Sequence, residues 1–451
     1  MPTESDRPII PPTLAAAAAA VRAGTCSPVA LVEDALARVA RFQDLNTIAF
    51  LDADRALAEA RVLEREARSG PIRGPLHGVP ITVKDLFNVR GMPTKAGANA
   101  PLPPIEPDEA IAVTRLREAG AIILAKTNMQ EIALGLNGEN PWTGDVKNPH
   151  DPAHQAGGSS SGSAAATAIG IGYGSLGSDT AGSIRLPASF CGVVGFKPSF
   201  GAVSLEGALA LIPSCDHAGP ITRTVADAAT MFAVLSARRG APPALWDFGD
   251  GAPRFVVPRA YLAGALTPDV RAAFEAFVAR LEAVGASVAD VMLDIGNAGE
   301  AFLPLRAESV MVHRRALETQ PEAFAPGVRE ALMRGYQFSA VQYLEAKQRQ
   351  GEMRAALHRA LQDADALLMP SAPCVAPLRG TVEIGLESGA KNLRQAILHL
   401  TAPAAFAGVP ALSLPFAQCD GLPVGVQVIT PFGEDERALH VGAWIERALV
   451  E

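Results

Sequence analysis

The chain has 451 residues, of which 49% are hydrophobic and 19% are charged, and its formal net charge at pH 7 is −8. This composition allows a large buried core and excludes a chain that is disordered throughout. The acidic surplus argues against nucleic acid as a partner, because phosphate binding needs a basic face.

The amino-terminal region shows no targeting signal. The alanine run at 15–20 is short and follows no basic stretch, so we predict a helix there and not a signal peptide. No apolar run approaches the ~20 residues of a membrane span, and we expect no membrane association. The five cysteines are widely spaced without a C-x-x-C pair, which predicts reduced thiols in a cytoplasmic protein.

Helices are predicted over most of residues 1–70. Ser27 and Pro28 have the residue types of an N-cap and a first helical position, and apolar residues then recur at helical spacing as far as Val39. A second helix is predicted over 52–68, where alanine, glutamate and arginine dominate. The chain therefore begins with a helical part.

An alternation of strands and helices follows. The β-branched run at 79–83 predicts a buried strand that ends at Lys84, and a helix over 108–119 leads into an apolar strand at 121–124. The segment 157–201 is dense in glycine, serine and alanine and nearly free of charge. The alternation indicates an α/β protein with a layered core.

The later elements continue this pattern. A helix is predicted over 224–237, and its start at Thr224 and Asp227 resembles a capping box. An exposed loop at 240–253 comes next. We then predict strands at 255–257, 287–293, 366–369, 409–414 and 424–429, and helices at 268–284, over most of 300–362, and at 434–449.

One domain over 1–451 is the predicted organisation, because strand material lies on both sides of the 240–253 loop. Its helical amino-terminal part covers 1–70, and we expect a more variable helical insertion around 300–362.

Two blocks rich in glycine and serine carry the strongest chemical signal: GGSSSGSA at 157–164 and GSDTAGSIRLPA at 177–188. Such turns can aim several N–H groups at one point, which suits an oxyanion or a phosphate. A P-loop needs lysine after its last glycine, where Ser163 stands, and the alternate glycines at 170–174 do not match a dinucleotide fingerprint. We therefore favour a catalytic turn over a nucleotide site or a flexible linker.

Both blocks resemble the signature of the amidase signature family. Further segments match it: LHGVP at 76–80 with KD at 84–85, KTNM at 126–129, Asp216 with GP at 219–220, GVPA at 408–411 and GLPVGVQ at 421–427. The resemblance spans most of the chain. It implies an α/β fold with a large, mixed, twisted β-sheet flanked by helices on both faces, and a serine hydrolase without cofactor or metal.

A Ser–cis-Ser–Lys triad is implied by this resemblance. Lys84 matches the lysine of the family, Ser159 the cis-serine after the glycine pair, and Ser183 the nucleophile. Ser159 follows Lys84 by 75 residues and Ser183 follows Ser159 by 24, in agreement with the family. A lysine can act as a base only when neutral, so burial must lower its pKa from about 10.4. Ser159 would pass the Ser183 proton to Lys84 and later return it to the leaving nitrogen.

An oxyanion hole is also implied, in which each N–H donor contributes about 3 kcal/mol to the transition state. Its donors are the backbone N–H groups of Thr180, Ala181, Gly182 and Ser183. Ala181 and Ser161 stand where the family commonly has glycine, although neither change removes an N–H. In supporting roles we expect Ser160 and Ser178 near the relay, and a structural pair of Asp179 with Arg185.

Other catalytic arrangements receive less support. His217 beside Asp216 suggests a Ser-His-Asp triad, but adjacent residues rarely orient one another and Ser183 is not in a G-x-S-x-G elbow. His150 and His154 lie among prolines, which favours a loop pair over a metal site.

A largely apolar substrate pocket is predicted. Its expected lining residues are Met129, Ile132, Leu136, Gly157, Gly158, Leu211, Ile212 and Phe406. The sequence shows no obvious cationic pair for an amino-acid carboxylate. We therefore expect an apolar or aryl-bearing substrate in preference to a strongly anionic one.

Three functions fit these patterns. The first is a free-standing amidase, monomeric or a homodimer, for small or aryl amides, with carbamates (urethanes) and biuret-type ureides within reach of the same acyl-enzyme route. The second is the glutamine-hydrolysing A subunit of a tRNA-dependent amidotransferase. The segments 137–140, 148–151 and 215–220 resemble the branch of the family that contains both biuret-type hydrolases and such A subunits. A catalytically silent binding protein ranks last, because all three triad residues are present.

Overall fold

A computed structural model of the protein describes residues 10–237 and 251–449. The helices in this part of the chain are α1 Leu14–Arg22, α2 Pro28–Arg41, α3 Ala53–Ser69, α4 Ile111–Glu118, α5 Ser161–Ala168, α6 Arg185–Cys191, α7 Val225–Leu235, α8 Arg259–Leu262, α9 Pro268–Ala283, α10 Ala298–Ala301, α11 Arg306–Thr319, α12 Pro326–Met333, α13 Ala340–Ala360, α14 Leu393–Ala407 and α15 Asp435–Ala448.

The strands are β1 Ile48–Leu51, β2 Pro80–Lys84, β3 Ile122–Thr127, β4 Gly174–Asp179, β5 Val194–Lys197, β6 His217–Thr222, β7 Arg254–Val257, β8 Ser287–Asp290, β9 Ala366–Pro370, β10 Glu383–Leu386, β11 Gly389–Asn392, β12 Ala411–Cys419 and β13 Leu422–Ile429. Most of the predicted loop at 240–253 lies outside the described residues.

One mixed sheet of 11 strands forms the centre of the molecule, in the order β1-β3-β2-β4-β6-β5-β12-β13-β9-β7-β8. The pairs of β2 with β3 and β4, and of β7 with β8 and β9, are parallel. Strands β2, β3, β4 and β13 are buried at every position. A strand buried on both of its faces needs a layer on each side, so the predicted α/β fold with helices on both faces is confirmed.

Local sequence signals explain where several elements begin. The Ser27 hydroxyl accepts the N–H of Val29, and Pro28 occupies the first position of α2, as predicted. The predicted helices at 52–68, 268–284 and 434–449 correspond to α3, α9 and α15. Side-chain caps at Ser27 and Asp52 begin α2 and α3, whereas α9 and α15 have no side-chain cap and follow the apolar spacing along one face.

The predicted capping box at Thr224 is only half present. The Thr224 side chain accepts the N–H of Asp227, as a cap should. The Asp227 carboxylate instead accepts the N–H groups of Leu14 and Ala15, at the start of α1. A helix start leaves N–H groups without intrahelical partners, and here a residue 212 positions away satisfies two of them.

Several strand boundaries differ from the prediction, and six strands were not predicted: β1, β4, β5, β6, β10 and β11. Strand β8 ends at Asp290 and not at 293, and β12 begins at Ala411 and continues to Cys419 because it pairs with β13 along a hairpin. Strands β4, β5 and β6 contain glycine, which is depleted in strands, so propensity did not indicate them. Within the described residues, the helices are too short or too polar to cross a bilayer.

Candidate active site

Lys84 lies at the carboxyl end of β2, the third strand from one edge of the sheet, and its side chain is fully buried. Strands β2 and β4 run parallel, with Val83 opposite Leu176. Their carboxyl ends therefore meet at the same edge of the sheet and bring Lys84 beside Ser178. The distance from Lys84 Nζ to Ser178 Oγ is 2.8 Å.

Ser159 reaches the same amine from the turn that precedes α5. Its Oγ lies 2.7 Å from Lys84 Nζ, and the peptide bond between Gly158 and Ser159 is cis. The Ser160 hydroxyl donates to the carbonyl oxygen of Ser178 at 3.0 Å. Lys84 thus contacts two hydroxyls, and a neutral amine can accept a proton from one while donating to the other.

Burial is the main influence on the charge of Lys84. It lowers the pKa of this lysine to about 7, while the negative charges of Asp179 and Asp216 oppose the shift. A large fraction of the amine is therefore neutral near pH 7 and able to accept a proton.

Ser183 lies in the turn between β4 and α6 and is 4% exposed. Its carbonyl oxygen accepts the N–H of Ser160 at 3.2 Å, which ties the two Gly/Ser turns together. Within the described residues, no hydrogen bond joins the Ser183 hydroxyl to Ser159 or to any other group. The structure brings Lys84 and Ser159 into contact, whereas transfer of a proton from Ser183 to Ser159 stays a prediction.

Asp179 holds the turn that carries Ser183. Its carboxylate accepts the N–H of Gly182 at 2.6 Å and that of Ile184 at 3.1 Å. It also pairs with the guanidinium of Arg185 at 3.0 Å, and both side chains are fully buried. Although burial opposes it, Arg185 holds the pKa of Asp179 below its usual range, so this carboxylate is ionised.

The contacts of Asp179 correct one part of the predicted oxyanion hole. The N–H of Gly182 points to the Asp179 carboxylate and is not directed to an oxyanion. Among the described residues, the N–H groups of Thr180, Ala181 and Ser183 have no acceptor. Three of the four predicted donors are therefore available.

Glycine is required at position 182 by its surroundings. Gly182 has a φ of +132°, and a Cβ there would lie 2.7 Å from the side chain of Thr401. The Thr401 hydroxyl donates to the carbonyl oxygen of Ala181 at 2.6 Å. A helix from the other end of the chain, α14, thus fixes the turn.

The alternative Ser-His-Asp arrangement is not formed. The Asp216 carboxylate accepts the Thr180 hydroxyl at 2.6 Å. His217 Nδ1 lies 3.1 Å from the carbonyl oxygen of Asp179, and its Nε2 is buried without a partner among the described residues. No hydrogen bond connects His217 to Ser183 in this part of the chain.

The two loop histidines contact different groups. His150 Nε2 lies 3.0 Å from the Cys191 carbonyl oxygen, and His154 lies 3.1 Å from Asp151. Across residues 10–237 and 251–449, no group of three or more His, Cys, Asp and Glu side chains is placed to hold a metal ion.

A narrow pocket of about 30 Å³ opens at Ser183. It shares the lining residues 134–136 and Arg394 with a neighbouring cavity of about 520 Å³, which gives the site room for a small organic molecule. Three predicted substrate-binding residues line the narrow pocket: Leu136, Leu211 and Ile212.

Other predicted lining residues face elsewhere. Met129, Ile132 and Phe406 are at most 1% exposed and pack in the main hydrophobic core, so the prediction that they line the pocket is wrong. Gly157 and Gly158 are buried in the turn that leads to Ser159 and are not among the residues lining either cavity.

The lining of the narrow pocket at Ser183 is mostly apolar, and it also includes two cationic side chains, Arg306 and Arg394. The two arginines are far apart in the sequence and belong to no recognisable motif. Only the fold brings the first turn of α11 and the first turn of α14 to the same pocket, so no sequence motif indicates these two arginines.

Comparisons with known proteins agree with this geometry. The Amidase family model matches residues 30–439. The glutamyl-tRNA(Gln) amidotransferase A chain of Symbiobacterium thermophilum is 36% identical over 467 residues, which cover 94% of this chain and 93% of that protein. AtzE of Pseudomonas sp. strain ADP, which belongs to a 1-carboxybiuret hydrolase, is 36% identical over 441 residues, covering 94% and 95%.

Solved structures share the whole architecture. The crystal structure of an amidase superposes with a TM-score of 0.93 at 50% identity and covers 96% of this chain and 99% of that one. The native peptide amidase of Stenotrophomonas maltophilia gives a TM-score of 0.81 at 29% identity and covers 98% of each chain.

Proposed function

The chain belongs to the amidase signature family of hydrolases that act on amide-type C–N bonds, and we propose that it cleaves such bonds in small molecules with Ser183 as nucleophile, Ser159 as proton relay and Lys84 as base. The observation that carries the proposal is the 2.7 Å contact between Lys84 Nζ and Ser159 Oγ, in a site where burial lowers the pKa of the lysine to about 7.

The proposed reaction begins with two coupled proton transfers. Ser159 gives its proton to neutral Lys84 and takes the proton of Ser183, whose oxygen attacks the substrate carbonyl. The N–H groups of Thr180, Ala181 and Ser183 bind the resulting oxyanion. The relay then runs in reverse and protonates the leaving nitrogen, the C–N bond breaks, and an acyl-enzyme forms. Water attacks this ester by the same route and releases the acid.

Several substrate classes fit this chemistry. Aryl and alkyl amides are the primary candidates, and carbamates (urethanes) place the same carbonyl beside a nitrogen. The 36% identity to the 1-carboxybiuret hydrolase protein favours ureides as a second candidate. The equal identity to the amidotransferase protein keeps glutamine hydrolysis, with partner subunits, as a third.

The test is a substrate panel with the purified chain alone. It contains 4-nitroanilides, alkyl N-(4-nitrophenyl)carbamates, which release 4-nitroaniline when the C–N bond breaks, biuret and glutamine. We expect hydrolysis of at least one anilide or carbamate, and a loss of about 10⁴-fold or more in kcat for Ser183→Ala.

A matched control is Ser287→Ala, since Ser287 is an exposed serine on the edge strand β8. This variant should keep full activity. If a folded Ser183→Ala variant hydrolysed the same substrate as fast as the wild type, the role of Ser183 would be refuted.

A further inference from the structure

Two arginines lie beside the proposed nucleophile. Arg306 is the first residue of α11, and Arg394 is the second residue of α14. Both line the narrow pocket that Thr180, Ala181 and Ser183 also line. Neither takes part in the reaction steps proposed for the triad.

Neither guanidinium has an acidic partner in the described part of the chain. Arg306 is 8% exposed, and the Nε atoms of both arginines are buried without a hydrogen-bond acceptor. Elsewhere, buried Arg185 pairs with Asp179, and Arg117 pairs with Glu59. Burying part of a guanidinium group without a partner costs free energy, so an anion bound by Arg306 and Arg394 would stabilise the pocket.

The electrostatic surroundings of Arg306 and Arg394 also disfavour their positive charges. Burial and the positive charges of Arg394 and Arg334 lower the pKa of Arg306 to about 10. In addition, both pocket arginines stand in the first turn of a helix, where the positive end of the helix dipole disfavours cations and attracts anions.

Nearby acidic side chains are engaged elsewhere. Glu308 accepts the hydroxyls of Ser214 and Tyr343. Glu131 accepts the backbone N–H of Ala325. Among the described residues that line the narrow pocket beside Ser183, the charged ones are Arg306 and Arg394.

We propose that Arg306 and Arg394 bind a carboxylate of the substrate, so that the amides this protein hydrolyses best carry an acidic group. The proposal rests on the proposed function and assigns its substrate class. Guanidinium groups match carboxylates with two parallel hydrogen bonds, which orients the substrate as well as attracting it.

The first experiment compares matched substrates with the wild-type chain. Butyryl 4-nitroanilide is neutral, and the succinyl 4-nitroanilide places a carboxylate at the end of the same acyl chain. A second pair, butyranilide and 4-(butyrylamino)benzoate, places the carboxylate on the leaving group. We expect kcat/KM to be about 10- to 100-fold higher for the acidic member of one pair. Equal values within both pairs would overturn the proposal.

The second experiment removes one charge. Arg394 is partly exposed, so Arg394→Gln should fold. We expect it to reduce the preference for the acidic substrate about 10-fold or more, through a higher KM. Arg394→Lys should retain part of the preference, and Arg394→Glu should reverse it. Arg359→Gln, on the exposed side of α13, is the control and should change nothing. An unchanged preference in Arg394→Gln would contradict the proposal.

A binding measurement separates this inference from the catalytic one. Succinate and 4-aminobenzoate are titrated into Ser183→Ala by calorimetry. We expect binding of one of them, weakened about 10- to 100-fold in the Ser183→Ala/Arg394→Gln double variant. Binding without any hydrolysis by the wild type would refute only the catalytic proposal. The absence of binding, with neutral anilides still cleaved, would refute only the carboxylate site.

Discussion

The buried position of Lys84 lowers the pKa of its amine and so makes this lysine a suitable base. Among the described residues it has no carboxylate partner within hydrogen-bond distance, and its amine instead contacts the hydroxyls of Ser159 and Ser178 at 2.7 and 2.8 Å. Burial disfavours the ammonium form, and no direct ion pair restores it. The amine is therefore available as a base near neutral pH.

The pH dependence of catalysis follows from this shift. Because the pKa of Lys84 is lowered from 10.5 to about 7, the base is protonated and inactive below that pH and neutral above it. We expect kcat/KM for a neutral anilide to rise through about pH 7 and to reach a plateau above about pH 8. Rate measurements across this range, with an uncharged substrate, check the prediction.

Lys197 provides the control for that profile. Burial and the charge of Arg185 lower its pKa to about 7 as well, but its Nζ donates to the carbonyl oxygens of Pro198 and Val409. In a folded Lys197→Met variant the rise should persist. A flat profile in the wild type, or loss of the rise in Lys197→Met only, would contradict a Lys84 base.

For single residues, the sequence predicts a catalytic role best when the residue lies in a motif of the family. The positions of Lys84, Ser159 and Ser183 could be predicted because each lies in a motif of the family. The engagement of the Gly182 N–H by Asp179 could not, because it depends on how the turn folds back on the end of β4. Arg306 and Arg394 lie in no motif at all.

Among the structural elements, the turn between β4 and α6 is held by a fully buried ion pair. Asp179 satisfies N–H groups of that turn and neutralises the fully buried Arg185, which also donates to Gln427 at 2.6 Å. Removing the carboxylate charge leaves a buried cation. Such a loss usually costs about 3–5 kcal/mol.

We therefore expect Asp179→Asn to lower the free energy of unfolding by about 3–5 kcal/mol, measured by urea denaturation. Glu318→Gln is the control, because Glu318 and its partner Arg314 have side chains 61% and 58% exposed. That pair should contribute less than about 0.5 kcal/mol. A similar small loss in both variants would show that the Asp179–Arg185 pair does not stabilise the turn.

The sequence predicts a helix or strand well when its start and its apolar spacing are both recognisable in the local sequence. The helices α2 and α9 begin at prolines and have apolar residues at helical spacing. The strands of the Gly/Ser segment have weak propensity, and they form because neighbouring strands supply their hydrogen bonds on both sides.

For the whole molecule, the sheet order explains how distant segments build one site. Strand β2 lies next to β4, although the two are separated in the chain by β3 and two helices. Helix α14, from the last quarter of the chain, contributes both Thr401 at the Ser183 turn and Arg394 in the pocket. We propose that the chain is one domain on this ground, since the 11-stranded sheet includes strands from both ends of the described chain.

The family and the sheet architecture could be predicted from the sequence, because the motifs are spread over most of its length. The charge of the pocket could not, because it comes from two helix starts, at Arg306 and Arg394, that meet only in the folded chain. An apolar substrate was predicted from residues such as Phe406, which the fold directs into the core.

The central claim is that Ser183 is the nucleophile and that Lys84 activates it through Ser159. Active-site labelling tests it most directly: the folded protein is treated with a fluorophosphonate at about pH 8 and the modified peptide is mapped by mass spectrometry. We expect one label on Ser183, and labelling slowed about 100-fold or more in Lys84→Ala. A label on Ser159 or on another residue, or an unchanged rate in Lys84→Ala, would contradict the claim.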